Sequence, residues 1–291
     1  MSKYGIETST MLCEFNASVW TGRKLDRSVT DEVTESKSAS KSAGRFNKNL
    51  FAGRSELTDI QAVVGAARTY VYANTAPWSD SGQRWIPTAR LLKLDQRLAD
   101  YKAEFDDKVD AFVALYPTLI TAQAMSLGTM FNRNDFPQAA EIRHRFAFNY
   151  DFLPVPSVRD FRIDIANDAQ EELRSRLEGA LESRVSRAVG DVQERLVEHL
   201  TRMATRLGAD KDAKTGEDKP RKFHDTLVTS AFDLCDLVKD FNCQGDKTLA
   251  EARQRLEAAL TGVSATTLRE DPQVRETTRK EVAEILDLFK F

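Results

Sequence analysis

The chain has 291 residues, of which 41% are hydrophobic and 30% are charged, and its formal net charge at pH 7 is −3. A chain of this length can bury a sizeable core and form one or two domains. Because acidic and basic side chains nearly balance, no overall field draws the whole protein to nucleic acid or to an acidic membrane. Any such contact therefore needs a local patch.

The cysteines and the start of the chain indicate the compartment. Cys13, Cys235 and Cys243 are an odd and widely spaced set, which argues against a disulfide framework and fits a reducing environment. The first residues lack the apolar stretch of a signal peptide. No apolar run approaches the roughly 20 residues of a membrane span. We therefore expect a cytoplasmic protein, in the host cytoplasm if the chain is viral, with no membrane partner.

Alternation of apolar and polar residues predicts three strands, at residues 11–21, 146–155 and 160–165. Pro154 and Pro156 confine the second strand to a sheet edge or a turn. The stretch 77–87 is rich in Pro, Ser and Gly and predicts a loop. Three strands are enough for a small antiparallel sheet.

Helical periodicity governs most of the remaining chain. It predicts helices at residues 49–73, 88–116, 137–145, 168–207, 222–242, 246–261 and 271–288. The helix from Thr88 carries a heptad seam from Leu91 to Leu119, and we expect Pro117 to kink or interrupt it. Asp271 and Pro272 form an N-cap followed by proline at the first helical position.

The helix at 168–207 is the most informative feature of the sequence. Its apolar positions repeat after eleven residues, as in Leu181, Val192 and Met203, a period that favours a nearly straight helix. At 1.5 Å per residue it would extend roughly 60 Å. Pairs of opposite charge four residues apart, Asp191 with Arg195 and Glu198 with Arg202, indicate a solvated face. We expect His199 to be packed or at the rim of the core.

These elements predict a mainly α protein of α+β type, built as a long helical hairpin or coiled-coil rod with a small three-stranded antiparallel sheet. We expect the heptad seam from Leu91 to pack against the long helix. The expected organisation is a helical region with the sheet at 1–166, the rod helix at 167–207, a charged loop at 208–221 and a C-terminal helical region at 222–291.

No catalytic constellation is visible in the sequence. Phosphate-binding loops, a dinucleotide-binding glycine motif and a nucleophile elbow are all missing. The three histidines are scattered, and the cluster of Asp106, Asp107 and Asp110 is typical of a solvated helix face. Asp210 and Asp212 begin like a calcium loop, but the following residues do not continue it. We therefore predict a non-enzymatic protein without a metal site or cofactor.

A basic segment near the start of the chain is the strongest candidate for nucleic-acid binding. Its cations could form one stripe if the segment is helical, and two tryptophans nearby could stack on bases. The alternative is a flexible polar connector beside two tryptophans that pack helix ends. The candidate residues are Arg23, Lys24, Lys37, Lys41, Arg45, Lys48, Arg54, Trp78, Arg84 and Trp85.

Apolar residues on the long helix and at the C-terminus are candidates for self-association. A rod of this length needs partners along it, and the final helix is apolar for a chain end. The candidate residues are Leu181, Val192, Leu196, Met203, Leu286, Phe289 and Phe291.

Several stretches, taken in order, carry a family resemblance. They are Val19–Lys24, Leu98–Phe105 continuing to Tyr116-Pro117, Asp135–Pro137 before Phe146, Val155-Pro156 and Phe161. In this order they resemble an uncharacterised family of tailed phages and some bacterial genomes. Its members are often encoded near a MoxR-like AAA+ ATPase and a von Willebrand A-type protein. The resemblance implies a viral or mobile-element origin and an ATPase-linked assembly, and it carries over no functional residue.

The leading hypothesis is a self-associating helical scaffold or adaptor protein of phage type, forming a homo-oligomer and acting as a partner of an AAA+ ATPase. The second hypothesis is a single-stranded DNA-binding protein that uses the basic segment and the tryptophans. An enzyme with a site assembled from unremarkable residues is the third.

Overall fold

A computed structural model describes residues 9–156, 168–211, 218–243 and 245–290. The helix content is 66%, which confirms the mainly α class. The helices are α1 (Arg27–Ser36), α2 (Glu56–Asn74), α3 (Thr88–Leu127), α4 (Ala139–Ile142), α5 (Asp168–Leu207), α6 (Thr226–Phe241), α7 (Lys247–Leu260), α8 (Ala265–Glu270) and α9 (Pro272–Asp287). The strands are β1 (Thr10–Ser18), β2 (Arg23–Leu25), β3 (Asn47–Asn49), β4 (Ala76–Pro77), β5 (Arg84–Pro87), β6 (Ala147–Pro154), β7 (Ala209–Lys211) and β8 (Asp218–Pro220).

The main sheet has four strands in the order β4-β5-β1-β6, so the prediction of three strands was wrong. The predicted strands at 11–21 and 146–155 are confirmed as β1 and β6, while the one at 160–165 lies outside the described residues. The stretch predicted as a loop instead supplies β4 and β5. Antiparallel pairing of β5 with both β4 and β1 supports these short strands, and pairing across the chain is invisible to local composition.

The chain divides into two compact units, each built from separated stretches. Unit 1 comprises Met1–Glu14, Asn74–Leu92 and Phe152–Phe291, and unit 2 comprises Phe15–Ala73 and Lys93–Asp151.

Unit 1 is organised around α5, whose predicted bounds are confirmed. This helix packs along α6 and α9 and against β4, and its core residues include Val185, Val192 and Leu196. From Leu94 onward the heptad seam of α3 belongs to unit 2, where most of its residues are buried and Phe105 contacts Phe148 of β6. The two long helices thus have different partners in different units, and the expected hairpin or rod is not confirmed.

Unit 2 has an aromatic core. Phe51 makes ring contacts with Phe112, Tyr116 and Phe136 at centroid distances of 5.6, 6.1 and 5.8 Å. The helix α3 continues through Pro117 to Leu127, so of the two expected outcomes, a kink or an interruption, the interruption does not occur. Buried apolar residues beyond the proline, such as Leu119, account for this continuation because their packing offsets the lost backbone hydrogen bond.

Two polar segments carry more structure than their composition predicts. The stretch expected to be a connector contains α1, whose N-cap is Asp26, with the carboxylate accepting from the Val29 backbone N–H. The segment 208–221, predicted as a charged loop, contains the antiparallel pair β7 and β8. At the C-terminus, Asp271 caps α9 and Pro272 follows it, as predicted.

Candidate self-association surface

Lys48, predicted to contact nucleic acid, is a buried structural cation of unit 2. Its Nζ lies 2.9 Å from Asp26 Oδ2 and 2.8 Å from Asp135 Oδ2, and it donates to the Met130 carbonyl oxygen at 2.7 Å. Burial alone would lower the pKa of Lys48, but the hydrogen bonds to Asp135 and Asp26 raise it above its usual value. All three ammonium protons are therefore occupied, and none is free for a phosphate.

The two candidate tryptophans lie in the core of unit 1. Trp78 is 1% exposed and Trp85 is 0% exposed. The Trp85 ring packs edge-on against Phe241 at 5.2 Å, and the Arg184 guanidinium of α5 lies 5.5 Å from the Trp78 ring centroid. Arg84 donates to the Thr75 hydroxyl and carbonyl oxygens at 2.6 and 2.9 Å. As placed, these rings offer no face to a base, which agrees with the packing alternative.

The remaining basic candidates are exposed but do not form one helical stripe. They are Arg23, Lys24, Lys37, Lys41, Arg45 and Arg54. The helix α1 ends at Ser36, before most of them, and Lys41 pairs with Asp31 at 3.6 Å. The expected stripe is therefore wrong, because the chain turns after α1 and carries Lys48 back into a strand.

The predicted self-association residues lie in or against the core of unit 1. Val192, Leu196 and Met203 are buried, while Leu181, Leu286 and Phe289 are partly buried against that core. Phe291 lies outside the described residues. Packing within one chain therefore accounts for the apolar pattern of α5, which needs no second copy to explain it.

A different apolar surface is exposed on α3. Between Asp110 and Arg133 no residue is charged, although 30% of the whole chain is. Within this stretch one helix face consists of small and apolar side chains separated by four, three, four and three residues, the spacing of a coiled-coil seam. We call it the α3 stripe, and its members are Ala111, Leu115, Thr118, Ala122 and Met125.

The α3 stripe faces away from the core of unit 2. The buried residues of the same helix segment, including Phe112, Tyr116 and Leu119, lie well around the helix from it at 100° per residue. Leu115 is 50% exposed and Met125 is 91% exposed. Solvent-facing positions of a helix in a highly charged chain are usually polar, so an uncharged stripe at seam spacing is typical of an interaction surface.

This stripe was missed because core and surface residues of α3 are both apolar here. Two seams run along the helix, and periodicity alone assigns all their residues to one core. The usable signal was the missing charge between Asp110 and Arg133, which the core alone does not require.

The described residues hold neither a cluster of metal ligands nor an activated cysteine. They contain no group of three or more His, Cys, Asp or Glu side chains that could hold a metal ion. Burial raises the pKa values of Cys13 and Cys235 to about 12, so both thiols stay protonated and are poor nucleophiles.

One helix in the described part of the chain, Thr88–Met130, is long and apolar enough to cross a membrane by length and composition. A third of its most apolar window (33%) is buried, and core helices of soluble proteins pass the same test. The finding is weak support for a membrane span. It concerns the same helix that carries the α3 stripe.

In comparisons with known proteins, no family model matches the chain, and no curated protein or solved structure does either.

Proposed function

We propose that this protein is a non-enzymatic helical scaffold or adaptor whose copies associate through the α3 stripe. The observation that carries the proposal is an uncharged row of residues at coiled-coil spacing, of which four are exposed and Ala122 is half-buried: Ala111, Leu115, Thr118, Ala122 and Met125. In a single copy the apolar atoms of this stripe remain exposed to water, which is unfavourable. A matching helix that packs against the stripe removes them from solvent.

The shape of the stripe favours a second copy as the occupant. If two copies of α3 pair antiparallel about Thr118, Met125 of one lies opposite Ala111 of the other, and Leu115 lies opposite Ala122 and its neighbour Thr121. Large side chains thus meet small ones, as a self-complementary two-fold interface requires. No like charges oppose each other along the stripe.

The charges that bound the stripe fit the same arrangement. Exposed Asp107 and Asp110 precede it, the latter already 3.3 Å from Arg143, and exposed Arg133 follows it. An antiparallel pair brings the acidic boundary of one copy towards the basic boundary of the other. A parallel pair would place like charges together, which favours the antiparallel orientation.

The expected affinity is modest. Burying the exposed parts of Leu115 and Met125 in both copies contributes roughly 4–8 kcal/mol, at about 1.5–3 kcal/mol for a fully buried side chain. Association costs about 4 kcal/mol or more in lost freedom. We therefore expect a dimer that forms and dissociates with concentration.

Light scattering coupled to size-exclusion chromatography tests the proposal. The wild-type mass should rise towards a dimer with concentration, and the double variant Leu115→Lys/Met125→Lys should remain monomeric with unchanged circular dichroism. Leu92→Lys is the matched control, because Leu92 is 68% exposed on the same helix but outside the stripe. A monomeric wild type at every concentration, or equal loss of the dimer in the control, would overturn the proposal.

The ATPase partner is proposed on the family resemblance alone. Co-elution of the chain with a MoxR-like ATPase of the kind encoded near members of that family supports this partnership, and separate elution at high concentration of both proteins contradicts it.

Single-stranded DNA binding is the second candidate, favoured by the six exposed basic side chains around β2, α1 and β3. It predicts binding that weakens with salt and that Lys37→Gln/Lys41→Gln reduces. Fluorescence anisotropy of a labelled oligonucleotide measures both effects, and binding that ignores this substitution contradicts the candidate.

A further inference from the structure

A cationic cavity opens at the C-terminal end of α5 in unit 1. Its volume is about 550 Å³, within the range of small-molecule sites. Arg202 and Arg206 of α5 line one side, and Lys222, His224 and the first turn of α6 line the other. The side chains of all four of these residues are exposed, so the cations are accessible from solvent.

No carboxylate lines this cavity in the described part of the chain. Asp225, which follows His224 directly, pairs with Arg269. On α5 the predicted pair of Asp191 with Arg195 is formed at 2.6 Å. Among the described residues, by contrast, Glu198 makes no ion pair with Arg202, and neither Arg206 nor Lys222 has an ion-pair partner.

The three cations repel one another in this arrangement. Arg202 and Arg206 are four residues apart on one helix face, a spacing at which like charges destabilise a helix. Lys222 adds a third positive charge to the same cavity. An anion held between them removes this repulsion.

The remaining lining suits an anion as well. The first turn of α6 contributes Thr226 and Ser230, which supply hydroxyl donors. Asp225 makes no side-chain cap at this helix start, and its carboxylate pairs with Arg269. His199 is 5% exposed, and its Nε2–H donates a hydrogen bond of 3.0 Å to the Leu227 carbonyl oxygen. This bond fixes the back of the cavity.

Buried Arg275 of α9 holds the two sides of the cavity in place. Its Nη2 donates to the Arg206 and Arg221 carbonyl oxygens, both at 2.8 Å. Arg206 belongs to the α5 side, and Arg221 immediately precedes Lys222 on the other side. The backbone on the two sides of the cavity is therefore held in place, which lowers part of the entropy cost of binding.

We propose that this cavity binds a small anion through its phosphate groups. Arginine guanidinium groups match phosphate oxygens in a bidentate geometry, and Thr226 and Ser230 add hydroxyl donors. Free pyrophosphate and a nucleotide share this chemistry. This site lies in unit 1 and is independent of the α3 stripe.

Isothermal titration calorimetry of the full chain with pyrophosphate, in a chloride buffer free of phosphate and sulfate, tests the proposal. We expect saturable binding of one ligand per chain, and Arg202→Gln/Arg206→Gln should weaken it about tenfold or more, the equivalent of one lost charge-assisted hydrogen bond. Both arginines are exposed, so the variant should keep the wild-type melting temperature and the wild-type oligomeric mass. Lys222→Gln should weaken binding as well, without altering α5.

The matched control is Arg45→Gln/Arg54→Gln, which removes the same charge from exposed arginines of unit 2. Absence of pyrophosphate binding, or equal weakening by this control, would overturn the proposal. A titration with ATP distinguishes a nucleotide from free pyrophosphate as the ligand. If ATP binds more tightly than pyrophosphate through the same arginines, the site recognises a nucleotide. If the two bind equally, the site recognises the phosphate groups alone.

Discussion

Arg275 Nε donates a hydrogen bond of 2.7 Å to the carbonyl oxygen of Leu207, the last residue of α5. The last carbonyl groups of a helix have no partner within it. Here a buried guanidinium from α9 supplies the donors and also places a positive charge at the negative end of the helix. The C-terminal end of the long helix is therefore capped by a side chain that lies 68 residues later in the sequence.

Replacing this cap should destabilise the fold. Arg275→Met keeps an unbranched apolar stem but removes the guanidinium, which leaves several carbonyl oxygens without a donor at about 1–3 kcal/mol for each unsatisfied group. We expect the free energy of unfolding to fall by about 3 kcal/mol in urea denaturation followed by circular dichroism. Arg279→Met is the control one turn later, where an exposed pair with Glu276 contributes about 0–1 kcal/mol. Equal losses would contradict the capping role.

The buried cation of unit 2 provides a second prediction. Lys48→Met leaves Asp26 and Asp135 without their counter-charge, and breaking a buried pair in this way costs about 3–5 kcal/mol. Lys24→Met changes the residue directly opposite on β2, which is exposed, and should cost little. The same urea experiment measures both. A stable Lys48→Met variant would return Lys48 to the list of candidate surface cations.

Tryptophan fluorescence distinguishes a packing role of Trp78 and Trp85 from a role in stacking on nucleic-acid bases. In a Trp20→Phe variant only Trp78 and Trp85 emit, and both are buried. We expect blue-shifted emission with little quenching by acrylamide and no quenching by a single-stranded oligonucleotide, because stacking requires an exposed ring face. Strong quenching by the oligonucleotide would show that the hairpin of β4 and β5 opens to bind nucleic acid.

His199 predicts a pH dependence of stability. Burial lowers its pKa below the usual 6.5, while the hydrogen bond to Leu227 acts in the opposite direction. As the pH falls below 6.5, the unfolded chain binds a proton at this residue before the folded chain does, so its contribution to stability is lost. The melting temperature of the wild type should fall more between pH 7 and pH 5 than that of His199→Gln. Identical slopes would contradict this assignment.

Long elements were predictable because their pattern repeats many times. The bounds of α5 follow from apolar positions sustained over Asp168–Leu207, and the cap of α9 follows from two adjacent residues. The short strands β4 and β5 were not predictable from the sequence, because β5 forms by pairing with both β4 and β1. Local composition in that stretch indicates only turns.

The candidate sites depended on information that a single sequence does not carry. Lys48 and the exposed cations before it look alike in composition, and only the carboxylates of Asp26 and Asp135 distinguish them. The cationic cavity brings together Arg202 of α5 and Lys222, which follows the paired strands β7 and β8, so no spacing rule indicates it. The α3 stripe was hidden beside a stronger buried seam on the same helix.

The most direct test of self-association is the mass of a Thr118→Cys variant after mild oxidation, measured on non-reducing gels and by light scattering. Thr118 lies on the two-fold axis of the proposed antiparallel pair, where two cysteines come within the short distance that a disulfide requires. We predict a covalent dimer for Thr118→Cys and none for Gln96→Cys, an exposed control on the same helix. Monomers in both variants, together with a wild type that stays monomeric at every concentration, would contradict the central claim.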